Sequence, residues 1–364
     1  MALAEISQAG VSIWLDDLSR ERMKVDGTAS YLPELISLKN VVGVTTNPAI
    51  FASAIANSEL YRSDILQMQK SGLATDSIIT ELTCSDVKQA CEIFHDTYLR
   101  SGGKDGRVSI EVDPRLARDT KNTIEQARFL WQKIDMPNLL IKVPATKEGL
   151  PAISKLISEG ISVNVTIIFS VSRYREVLAA YQAGLTERRA NGLSISGIHS
   201  VASFFVSRVD TEIDPKLREL GRSDLCGRAA IANARLAYQE FVAVSKTPSW
   251  SELAAAGAAL QRPLWASTGV KDPNYDPAMY VTELIAPDSV NTMPESTLVA
   301  ASQTKNFRGD TITGNYEDAS EVITELSNLG IDIEQVAEKL ELEGIEKFIK
   351  PWLELISTVS KVTP

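Results

Sequence analysis

One recurrence constrains this chain more than any other feature. Eight short segments of near-continuous apolar, largely β-branched residues alternate with longer stretches of helical spacing. The segments are VSIWLDD (11–17), VVGVTTNP (41–48), RVSIEVDP (107–114), NLLIKVPA (138–145), SVNVTIIFS (162–170), ISGIHSVASFF (195–205), RPLWAST (262–268) and DSVNTMP (288–294). Runs of this kind are expected of parallel strands covered on both faces. Between them, Ile124, Ala127, Trp131 and Ile134 keep helical spacing. Tyr174, Val177, Leu178, Tyr181 and Leu185 do the same before Asn191-Gly192 ends the run. Eight such alternations predict an α/β fold, a single (β/α)8 TIM barrel. The gaps after the second and sixth segments are about twice the others, so extra helices are expected there. An open doubly wound sheet is the rival. No G-x-G-x-x-G follows an early strand, and polar residues recur inside nearly every strand, which a barrel explains by pointing them inward.

Residues 1–315 are thus expected to form the barrel and 316–364 a C-terminal helical extension packed on it. In the extension, Asp332 with Gln335 resembles a capping box. Val336, Leu340, Phe348, Ile349, Trp352, Leu353 and Ile356 supply the apolar face, and Pro351 predicts a kink or break.

Composition removes several function classes. The 364 residues carry 37 Lys+Arg against 47 Asp+Glu, a net charge of −10, which argues against coating nucleic acid or anionic lipid. Any anion site must therefore be a local cationic pocket. The apolar runs fall short of the roughly 18 residues a membrane span needs. MALAEISQAG has no cationic stretch before an apolar core, so no signal peptide is expected and the location should be cytoplasmic. The three cysteines, Cys84, Cys91 and Cys226, lack metal-ligand spacing and read as small buried hydrophobes in a reducing compartment. With His95 and His199 the only histidines, neither a His-rich metal site nor a Ser–His relay is supported. The sequence leaves monomer and homodimer open.

Lys142 stands out as chemistry. It lies mid-strand among Leu139, Leu140, Ile141, Val143 and Pro144, where an unpaired ammonium would cost several kcal/mol. Either the amine is held neutral by desolvation, and so is nucleophilic, or the side chain snorkels from the strand end into an ion pair. A nucleophilic amine meeting a ketone gives a Schiff base. Asp16 and Asp17, Thr45, Thr46 and Asn47, Glu111 and Asp113, and Asn164 and Thr166 lie in or at the ends of neighbouring strands. Individually such residues often cap helices, Asp113 before Pro114 most plainly. Together they describe a polar, proton-transferring ring inside an apolar barrel.

GVTTNPAIF (43–51) and LLIKVPATKEGLPAISKL (139–156) resemble the two signature segments of the transaldolases, and IEVDP (110–114) and NVTIIFS (164–170) resemble that family's third and fifth strands. The likeness implies a (β/α)8 enzyme with a Schiff-base lysine and neither metal nor organic cofactor. It implies transfer of a dihydroxyacetone unit between sugar phosphates in the pentose phosphate pathway. Carried over, Lys142 matches the Schiff-base lysine, and Asp16 the first-strand aspartate, with Asp17 an adjacent alternative. Glu111 and Thr166 complete the catalytic set. Asn47, Asn164, Thr45 and, in SFFVSR (203–208), Ser203, Phe205 and Arg208 match substrate-binding positions. WASTGVKD (265–272) departs from the family's shorter Ser-x-Arg or Ser-x-Lys pattern by an insertion, with Lys271 the expected phosphate cation. A class I aldolase cleaving fructose 6-phosphate, which would use the same lysine, is the alternative. A non-catalytic sugar-phosphate-binding barrel is disfavoured, because binding alone needs no buried amine.

Overall fold

The computed structural model describes residues 2–25, 31–56, 58–305 and 307–363. Its strands are β1 (Val11–Leu15), β2 (Val41–Val44), β3 (Arg107–Glu111), β4 (Leu139–Pro144), β5 (Val163–Ile168), β6 (Ser200–Phe205), β7 (Arg262–Ala266) and β8 (Ser289–Met293). They close in sequence order, every pairing parallel, into an eight-stranded barrel. Each lies within the segment that its apolar run predicts. Helices Pro48–Ala56, Arg62–Lys70, Thr75–Ile93 and His95–Arg100 fill the long gap after β2. Ser207–Glu219, Ala229–Ser245 and Pro248–Ala255 fill the one after β6. No helix among the described residues is long and apolar enough to cross a membrane.

Register decides which polar residues meet. Glu111 pairs with Lys142 across β3–β4, and Lys142 with Asn164 across β4–β5. Residues opposite one another in a ladder share a face, so all three project into the barrel at one level. The same alternation turns Trp14, Gly43, Ser203 and Thr292 inward. Trp14 is fully buried, and a Cβ on Gly43 would stand 2.6 Å from its indole Cε2, so only glycine leaves room for the ring. The indole thereby fills the interior beside β2, and the polar residues crowd toward the C-terminal ends of the strands, where barrel sites form.

β5 is irregular at this end. Its pairing with β6 shifts between Val165 and Ile168, and Ile167 takes a left-handed φ of 57°. A β-branched residue there is strained, a feature concentrated at functional sites.

The last 50 or so residues divide in two. Helix Tyr316–Asn328 packs on the barrel wall against Ala229–Ser245. Helix Ile333–Ser360 instead packs on helices Pro48–Ala56, Thr75–Ile93 and Ser207–Glu219 and on β5, across the barrel mouth. The Asp332 carboxylate caps it, accepting from the Glu334 N–H at 2.9 Å. Pro351 lies inside this one continuous 28-residue helix, so of the expected kink or break the break does not occur. Phe348, Trp352 and Leu355 are buried on either side of the proline, and their packing outweighs the lost backbone hydrogen bond.

Candidate active site

A cavity of about 200 Å³ opens at the C-terminal ends of the strands. Nine residues singled out in the sequence line it: Asp16, Thr45, Asn47, Lys142, Thr166, Ser203, Phe205, Arg208 and Lys271. Glu111 and Asn164 stand behind the wall and act on residues that do line it.

Lys142 makes an ion pair, as one of the two readings expected, but makes it inside the barrel rather than by snorkelling outward. Its Nζ lies 3.1 Å from Glu111 Oε2 and donates to the Thr46 carbonyl at 3.2 Å, with the two side chains 5% and 3% exposed. Burial pushes the Glu111 carboxyl up, against the pull of the Lys142 ammonium. Glu111 Oε1 is buried without a hydrogen-bond partner. Glu111 and Asn47 also line a small compartment of about 20 Å³ behind the main cavity, a volume that accommodates one water molecule.

Asp16 follows β1 directly, its backbone N–H bonded to the Met293 carbonyl at 2.9 Å. Burial raises its carboxyl above the ordinary range, opposed by the Lys142 charge and by the Thr45 hydroxyl, which donates to Oδ1 at 2.6 Å. Since the Thr45 proton points at Asp16, the Thr292 hydroxyl, 2.6 Å away, must donate to Thr45. A Thr292–Thr45–Asp16 chain results. Asp17 is committed elsewhere, ion-paired with Arg22 at 2.6 Å, so of the two adjacent acids it is Asp16 that meets the cavity.

Asn47 is both cap and lining. Its Oδ1 accepts the N–H groups of Ala49 and Ile50, which leaves its NH₂ group as the donor available to the cavity. Asn164 is fully buried and engaged at both ends. It donates to Ser109 Oγ at 3.0 Å and accepts from Ser203 Oγ at 2.7 Å, so it orients Ser203 from below. Thr166 Oγ1 is buried without a partner beside the strained Ile167.

The cationic side of the cavity is built from two elements. Arg208 opens helix Ser207–Glu219, whose N-terminal N–H groups add partial positive charge. Burial lowers the pKa of its guanidinium, against the Glu343 and Asp16 carboxylates, and Nη1 is buried without a partner. Lys271 sits on the loop after β7. That loop is fastened to the same helix, by Arg218 to Asp272, by the Tyr275 hydroxyl to Asp214 at 2.6 Å and by the Tyr280 hydroxyl to Asp210 at 2.8 Å. The loop thereby delivers Lys271 to the cavity.

The Transaldolase/Fructose-6-phosphate aldolase family model matches residues 13–359. The chain belongs to that family. It is 52% identical to "Transaldolase 1" of Streptomyces coelicolor over 363 residues, covering 99% of this chain and 94% of the relative. It is 52% identical to "Transaldolase" of Mycolicibacterium paratuberculosis, covering 99% and 96%, and 48% identical to "Transaldolase" of Thermobifida fusca, covering 99% and 97%.

Six lining residues, Ala266, Ser267, Gly269, Thr292, Pro294 and Phe348, were not named as site residues in the sequence. Thr292 was findable, because the alternation in β8 that buries Val290 inward does the same for Thr292. Ser267, at φ 55°, lies just past β7 at the start of the loop that carries Lys271. Phe348 reads in sequence as one more member of an apolar stripe, and nothing local marks it as a cavity residue.

Proposed function

We propose that the protein is a transaldolase acting through a Schiff base on Lys142. The donor would be a ketose phosphate, sedoheptulose 7-phosphate or fructose 6-phosphate. The acceptor would be an aldose phosphate, glyceraldehyde 3-phosphate or erythrose 4-phosphate, in the non-oxidative pentose phosphate pathway. The observation that carries this reading is Lys142 Nζ lining a cavity with Glu111 at 3.1 Å, and Asp16, Arg208 and Lys271 around it. Relatives of about half identity that bear the transaldolase name support it.

In this reading the ammonium proton passes to Glu111, and the freed lone pair attacks the ketose carbon two. Loss of water gives an iminium, with Glu111 and Thr166 carrying the proton. Asp16 takes the proton from the hydroxyl on carbon four; the bond between carbons three and four breaks, and its electron pair enters the iminium. An aldose leaves and a dihydroxyacetone enamine stays on the lysine. Asn47 and Ser203, the latter set by Asn164, hold the hydroxyls of that fragment. The acceptor aldehyde enters, carbon three of the enamine attacks it, and Asp16 returns the proton. Each positioned acid–base group of this kind contributes about 10²–10⁴-fold. Arg208 supplies a fork and Lys271 a point charge for the distant phosphate.

The three free cysteines, two of them buried, suit the cytoplasmic location that accompanies this reading. The test is a coupled assay with sedoheptulose 7-phosphate and glyceraldehyde 3-phosphate. Acceptor-dependent formation of erythrose 4-phosphate is expected. Cleavage of fructose 6-phosphate at the same rate with and without an acceptor would make the protein an aldolase instead.

A further inference from the structure

The C-terminal helix turns one face toward the cavity. Gly344, Phe348 and Trp352, four residues apart, point the same way. At Gly344 a Cβ would meet Phe169, Arg208 Nη1 and Ile167 at 3.6–3.7 Å, so the helix rests on the strained rim of β5. One turn on, the Phe348 ring lines the cavity, with its centroid 5.4 Å from Lys142 Nζ and 6.0 Å from Arg208 Cζ. Trp352 covers the compartment that Glu111 lines.

Arg208 is held unusually. Phe205 lies 5.3 Å from its Cζ and Phe348 6.0 Å, while Nη1, buried under the C-terminal helix beside Gly344, makes no hydrogen bond to protein, and the side chain lines the cavity. Aromatic faces attract the guanidinium through its plane and leave its N–H edge uncommitted. A carboxylate partner would consume that edge. The edge is the part that forms the two parallel bonds to a phosphate.

We infer that Phe348 is a positioning residue for recognition of phosphorylated sugars, steadying Arg208 by its face so that the N–H edge meets the substrate phosphate. The inference rests on the reading of Arg208 as the phosphate cation. The C-terminal helix is in this sense part of the active site, and the specificity of the barrel depends on a residue far from its strands in sequence.

The experiment compares the wild type with Phe348→Leu and Phe348→Tyr. One donor is used with glyceraldehyde 3-phosphate or unphosphorylated glyceraldehyde as acceptor, and inorganic phosphate binding is measured separately by calorimetry. Loss of the ring should lower the phosphorylated-to-unphosphorylated ratio of kcat/KM about three- to tenfold and weaken phosphate binding by a similar factor. The tyrosine variant, which keeps the ring, should stay close to wild type on both. A purely structural role would depress both acceptors equally; an unchanged ratio with unchanged phosphate affinity overturns the inference. Should the leucine variant fail to fold, Phe348→Met keeps the volume without the ring and answers the same question. A wild type that binds phosphate but transfers nothing would count against the proposed reaction, and the phosphate measurement would still decide the role of Phe348.

Discussion

Glu111→Gln tests the buried pair at the heart of the site. The substitution keeps shape and removes one charge 3.1 Å from Lys142 Nζ, where both side chains are at most 5% exposed. At an effective dielectric of about 20, that separation corresponds to a gross attraction of about 5 kcal/mol. Asp16 remains nearby and recovers part of it. Breaking one side of a buried pair typically costs about 3–5 kcal/mol, so about 3 is expected here. Unfolding entropy near 2.1 cal/mol/K per residue gives roughly 0.8 kcal/mol per kelvin for a chain of this length, so the melting temperature should fall by about 4 °C. The turnover number should fall about 10²–10⁴-fold, because the proton carrier for dehydration is gone. Adding Lys142→Met removes the orphaned charge, so the double variant should recover most of the stability and none of the activity. Calorimetry and the coupled assay read the two effects. A single variant that melts within a degree of wild type, or a double variant no more stable than the single, would refute a charged buried pair.

Two further outcomes follow from the same geometry. Burial raises the Asp16 carboxyl and the Thr45 hydroxyl opposes that rise, so the acidic limb of kcat/KM should lie above the ordinary aspartate value of about 3.9. Thr45→Val removes a bond to the ionised form and should move that limb further toward neutral pH; an unmoved limb would take Asp16 out of the role of base. Phe205 lines the cavity and offers no acidic proton, so Phe205→Tyr should speed dihydroxyacetone release from fructose 6-phosphate without acceptor, by protonating the enamine. Release at the wild-type rate would reduce Phe205 to packing.

The strands and their inward polar residues were legible because strand side chains alternate, and a buried strand leaves few interpretations for a mid-run Lys142 or Asn164. The pairing of Glu111 with Lys142 was not legible, since it depends on β3–β4 register, which neither strand specifies alone. For the same reason the amide of Asn164 looks free in sequence, whereas Ser109 and Ser203 occupy it. Ile167 contradicts its own propensity, and local rules fail where a strained backbone positions a site residue. The place of Phe348 at the cavity and the continuity of the helix through Pro351 were not legible for a tertiary reason. The helix that carries them is set by what it packs on, so its apolar stripe could not say whether it covered the wall or the mouth.

The most direct measurement is borohydride reduction in the presence of fructose 6-phosphate, followed by peptide mass mapping. The account predicts a reduced three-carbon adduct on the peptide bearing Lys142 and none in Lys142→Met. An adduct on another lysine, or full transfer activity with no adduct, would contradict it.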